Sequence, residues 1–124
     1  MATNTVPFKL ITPTSVAFEG DAELVIVVTT EGEEGILPSH APFLGALKPG
    51  VLRANVVAAG VSKRLELATG EGFIQALPDG VVVLVDKALA FDDVDVAATR
   101  AELAEATTPS AIDFANAKLR LTGH

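Results

Sequence analysis

The side chains able to do chemistry in this 124-residue chain are few: two histidines, 16 carboxylates and no cysteine. His40 follows Ser39, which sets a hydroxyl beside an imidazole, but sequence neighbours rarely take up nucleophile–base geometry. His40 and His124 stand apart, with no HxH or HExxH spacing, so no metal centre is predicted. The lack of cysteine removes disulfides, thiolate nucleophiles and cysteine-held zinc or iron–sulfur clusters. Neither a Walker loop nor a complete GxGxxG is present; Gly70-Glu71-Gly72 is half of the latter and reads as a tight turn between strands.

Carboxylates are the more informative group. Glu19, Asp21, Glu23, Glu31, Glu33 and Glu34 fall close together with no base among them. No nucleophile or ligand accompanies them, which argues against acid–base catalysis. Solvated strand ends are one reading; a docking surface that steers a complementary partner is another. The segment EGEEGILPSHAPFLGALKPG adds detail. Gly32 and Gly35 permit a tight backbone, and Pro38 and Pro42 stiffen Ser39-His40-Ala41 by fixing φ. Such a loop either presents charge and one imidazole to a partner or simply connects two sheets.

The whole-chain balance is a formal charge of -7, with neither tryptophan nor tyrosine. That composition predicts neither nucleic-acid nor anionic-membrane binding, since both need basic patches, and it lacks the usual stacking platforms. No run approaches the 18 or so apolar residues of a membrane span, and MATNTVPFKL has no signal-peptide character, so cytoplasmic exposure is expected.

The elements that must position these groups change class near residue 91. Apolar runs at Leu24 to Thr30, Val51 to Ala58, Leu65 to Ala68, Phe73 to Leu77 and Val81 to Val85 alternate with glycine, proline and acidic residues. That rhythm predicts antiparallel sheets packed as a sandwich or barrel over residues 1–91. The unbroken run Leu24 to Val28 suggests a strand covered on both faces, or one whose outer face meets a partner. Asp79-Gly80 reads as a primed hairpin turn with positive φ. Residues 92–124 predict two helices: the first capped by Asp92, with an alanine seam at Ala97, Ala101 and Ala104 and a neighbouring stripe of Val96 and Leu103. The second starts at Thr108-Pro109, buries Ile112, Ala115 and Leu119 flanked by Phe114 and Leu121, and ends at Gly123. The expected class is therefore mainly β plus α, a sandwich followed by an antiparallel helical hairpin.

Four ordered blocks resemble the epsilon subunit family of the bacterial F-type ATP synthase, called delta in mitochondria. They are ITPTSVAFEG, EGEEGILPSHAP, LKPGVLR and GEGFIQALPDGVVVLVDKAL. The resemblance implies a β-sandwich of about ten strands. It also implies a non-catalytic place in the central stalk of a proton-translocating synthase, on the cytoplasmic face of the bacterial plasma membrane and without insertion into it. Partners would be the gamma subunit, through an apolar sheet face, and the c-ring, with Glu31, Glu33 and His40 in the ring-facing loop region. The hairpin would reach the alpha and beta subunits if it regulates ATP hydrolysis. Some relatives bind ATP through (I/L)DxxRA. Here VDVAATRA sets Asp95 and Arg100 five positions apart, a spacing that does not face on a helix, so the motif is broken and no cofactor is expected. The tail's charge of -3 (3 bases, 6 acids) differs from an arginine-rich inhibitory arm and favours a tail folded against the sandwich. A stand-alone β-sandwich adaptor with a helical tail is the alternative.

Overall fold

The computed structural model describes residues 4–124. Nine strands precede two helices: β1 (Val6–Thr12), β2 (Ser15–Thr29), β3 (Gly32–Ile36), β4 (Phe43–Leu47), β5 (Gly50–Ala58), β6 (Val61–Thr69), β7 (Gly72–Leu77), β8 (Gly80–Val85), β9 (Ala88–Leu89), α1 (Val96–Glu105) and α2 (Pro109–Leu121). The strands hydrogen-bond in the order β1-β8-β7-β4-β2-β5-β6-β9, β3 adds to β2, and β1 also pairs with β2. All pairings are antiparallel except β1 with β8.

β2 is long enough to serve both layers. Its first half lies beside β1, and its second half beside β3 and β5. The β1 register slips between Leu10 and Ile11 and the β5 register slips at Glu23, and such bulges bend a strand and increase its twist. One layer is then β1-β8-β7-β4 and the other β3-β2-β5-β6-β9. Their inner faces interdigitate, with Phe8, Leu10, Ile74 and Val83 meeting Val25, Val27, Leu52 and Ala54 in one buried cluster. The apolar run in β2 splits by period two: Val25 and Val27 enter this core, while Leu24, Ile26 and Val28 are half-buried outside.

Local expectations fail in three places, each for a physical reason. The β7–β8 hairpin turns on Pro78-Asp79, because Leu77 pairs with Gly80, and no positive φ occurs there. The primed turn is Ala59-Gly60 instead, with φ of 52° and 77° between β5 and β6. α1 is capped by Asp95, whose Oδ1 accepts from Ala98 N at 3.0 Å, because a 3-10 turn takes up Phe91–Asp93. Its alanines 97, 101 and 104 are exposed. The half-buried Val96 and Leu103, with buried Thr99, make the stripe instead, since larger apolar side chains gain more from burial.

α2 begins on the Thr108 cap and Pro109, and the chain turns out of it at Gly123, whose φ is +83°. It packs against α1 on one side and β5 and β6 on the other, and buries Phe114, Ala115, Ala117 and Lys118. Ile112, predicted inside, is exposed, and Leu119 and Leu121 are half-buried. Helix and sheet share a second core of Ala68, Phe114 and Ala117 beneath Val51, Leu89 and Leu121.

Candidate partner-binding surfaces

β3 bonds only to β2 and is therefore an open sheet edge carrying the acidic loop. In the turn before it, Glu31 N donates to Thr29 Oγ1 (3.1 Å) and the Thr29 hydroxyl donates to Gly32 O (2.7 Å). Gly32 has φ of +122°, a conformation that side chains rarely adopt. This turn holds Glu31 out in solvent. Glu33 lies opposite Val28, and Arg53 of β5 donates to its carboxylate at 2.7 Å. His40 sits beyond the other end of β3, where its amide donates to Leu37 O (3.1 Å), its Nδ1 contacts the Ala41 carbonyl and its ring meets Phe43 edge-on at 6.3 Å. Ser39 and His40 share no side-chain hydrogen bond among the described residues, so no nucleophile–base pair is formed. Phe43 and Leu47 bound β4, and Leu47 pairs with Thr29, so roughly 13 Å of strand separates the imidazole from the Glu31 turn. The three residues line one edge of the molecule without converging on a point.

The six carboxylates do not form one cluster. Val28, the partner of Glu33, lies nine positions along β2 from Glu19, roughly 30 Å if fully extended. Donors from other strands reach them: Lys9 approaches Glu19 at 3.4 Å, Arg53 holds Glu33, and the Ser62 hydroxyl donates to Glu23 at 2.6 Å. Among the described residues no group of three or more histidine, cysteine or acidic side chains could hold a metal ion.

The outer face of β4-β7-β8-β1 carries an apolar surface of the kind expected on one sheet face, on strands that the sequence alone did not single out. Cross-strand partners Ala46, Phe73, Leu84, Ile11 and Val16 form an apolar row across the strands. Phe73 is 60% exposed, Leu84 49% and Val16 53%. Leu44, 75% exposed, opens the next row. A contiguous uncovered apolar band of this kind marks an interaction site. Its signal was available: Val81 to Val85 is an unbroken apolar run, like the one in β2, and half of it must face outward.

The helical tail is tied down unevenly. Ser110 donates to Glu71 at 2.8 Å, which anchors the start of α2 to the β6–β7 connection. Lys118 is only 6% exposed and donates to Glu102 of α1 at 2.7 Å, while both it and Lys87 lie 4.9 Å from the Phe114 ring centroid. Asp95 caps α1, and Arg100 approaches His124 Nδ1 at 3.3 Å. A mixed-charge cleft of about 320 Å³ separates α2 from the β2–β3 turn, with Lys48, Asp113, Asn116 and Arg120 on its walls.

Comparison with known proteins agrees with the geometry. Residues 5–91 match the family described as ATP synthase, Delta/Epsilon chain, beta-sandwich domain. An ATP synthase epsilon chain from an Exiguobacterium species is 37% identical over 124 aligned positions, covering 95% of this chain and 89% of the relative. Two solved structures share the fold. A chain of the Euglena gracilis mitochondrial ATP synthase, in an assembly of OSCP, F1 and c-ring, has a TM-score of 0.66 at 18% identity, over 96% of this chain and 78% of its own. A chain of the Tetrahymena thermophila mitochondrial ATP synthase central stalk and c-ring has 0.59 at 17%, over 98% and 94%.

Proposed function

The chain belongs to the ATP synthase delta/epsilon family, and from that premise we propose that it is a non-catalytic rotor subunit of a proton-translocating F-type ATP synthase. The observation that carries the reading is the uncovered apolar row on β4-β7-β8-β1, where gamma binds. A subunit that must turn with the shaft needs an interface with an apolar centre and a polar rim, and this face supplies both: the Phe73–Leu84 row, then the mixed row of Leu44, Gln75, Val82 and Lys9. The β3 edge, with Glu31, Glu33 and His40, meets the polar loops of the c-ring. Among the described residues no helix is long and apolar enough to cross a membrane, and the subunit is held at the cytoplasmic side of the bacterial plasma membrane by its partners.

Torque passes from ring to gamma across two surfaces of one small sandwich, and the chain contributes stiffness and contact, with catalysis left to alpha and beta. The hairpin is folded against β5 and β6 through α2, so any reach toward alpha and beta requires that packing to open. Weak regulation of ATP hydrolysis is the expected consequence. Detergent extraction followed by pull-down on this chain is expected to bring gamma and the ring together; a chain that never binds gamma in a reconstituted stalk overturns the assignment in favour of a stand-alone adaptor. For the ring contact, Glu33→Lys is expected to lower coupled ATP synthesis at a melting cost of about 1 kcal/mol, since the exposed carboxylate also pairs with Arg53.

A further inference from the structure

A groove of about 400 Å³ continues the apolar row at the ends of β1 and β8. Ile11, Pro13, Leu84 and the backbone of Gly72 supply its apolar lining, and Glu71 and Asp86 stand at its rim. The two acids are neighbours, because Asp86 N donates to Glu71 O at 2.9 Å. One of the two carboxylates is held by a hydrogen bond. Ser110 donates to Glu71 Oε1, leaving Oε2 without a partner among the described residues. Asp86 rests against Gly70, where an added Cβ would come within 1.9 Å of its Oδ1. No base among the described residues pairs with either acid. Lys87, next in sequence to Asp86, points instead at the Phe114 ring.

We propose that this groove receives a lysine or arginine side chain of gamma, its alkyl stem on Ile11, Pro13 and Leu84 and its cationic end between Glu71 and Asp86. The inference rests on the reading that gamma covers the apolar row, with which the groove is continuous. A long basic side chain matches the site because it buries methylenes along apolar surface while keeping its charge at an anionic rim. Glu71, already oriented by Ser110, spares part of the ordering cost that two loose acids would incur. Electrostatic complementarity here sets register, orienting a band that is otherwise non-directional.

The test titrates the purified full-length chain with the gamma subunit of the same synthase at two salt concentrations. The double variant Glu71→Gln, Asp86→Asn is expected to bind about tenfold more weakly at low salt and to lose much of the salt dependence. Phe73→Asp serves as the control on the face itself. If the double variant keeps normal affinity and salt slope while Phe73→Asp abolishes binding, the basic contact is refuted and the face assignment stands. If Phe73→Asp also leaves binding intact, the face assignment fails and the groove proposal falls with it.

Discussion

The two layers of the sandwich turn unlike outer faces to their surroundings. On β5 and β6 the outer face is covered at one end by α2, where Phe114 and Ala117 seal Ala68 and Val51. Beyond the helix it is polar, laced by Arg53 with Glu33 and Arg64 with Glu66. On β4-β7-β8-β1 none of the described residues covers the Phe73–Leu84 row, although its residues are as apolar as those the helix protects. The same physics applies to both: apolar surface stays out of water where a cover exists. One face finds its cover within the chain, and the other is left for a partner.

Changing one face at a time separates the two roles. The largest expected effect is Phe114→Ala, which empties the joint between α2 and the sheet and costs the docked tail about 3 kcal/mol. Hydrogen exchange over residues 96–121 is expected to rise while exchange in β1, β7 and β8 stays slow, and gamma binding is retained. Phe73→Asp is expected to do the reverse, weakening gamma by about 2 kcal/mol or more with a melting temperature near that of the parent. A drop in melting as large as that of Phe114→Ala would show Phe73 to be a core residue and dissolve the contrast.

A smaller effect sharpens the comparison within the tail. α2 is anchored to the sheet by Phe114 and Ser110, while α1 buries only Thr99 and holds to α2 through Glu102 and Lys118. Glu102→Ala leaves the Lys118 ammonium without its carboxylate and is expected to cost about 1–2 kcal/mol, a value held down because the Glu102 side chain is 56% exposed. Exchange in α1 is expected to quicken ahead of α2. Equal quickening in both helices would mean that the hairpin opens as one body.

Local patterns were legible wherever one residue dictates its own conformation. Thr108 and Pro109 start α2, and Gly123 turns the chain out of it. Patterns that depend on competition were not. Asp92 and Asp95 are both good caps, and the 3-10 turn at Phe91–Asp93 decided between them. Asp79-Gly80 and Ala59-Gly60 are both plausible turn pairs. Pro78, whose ring fixes φ near -65°, falls in the β7–β8 turn, and strand register leaves the primed turn to Ala59-Gly60. Glu31, Glu33 and His40 are neighbours in sequence, but their spread along a sheet edge depends on β3 having a single partner.

The sequence by itself determined the class change near residue 91, the family and the absence of cysteine chemistry, because these follow from composition and ordered motifs. Only the tertiary structure decided which apolar residues remain exposed. Ile11, Ala46, Phe73 and Leu84 come from four strands, and they form one row because β1 pairs in parallel with β8 while β7 lies between β8 and β4. Hydrophobicity fixes which residues gain from leaving water, and strand pairing fixes which of them have nothing within the chain to leave it for.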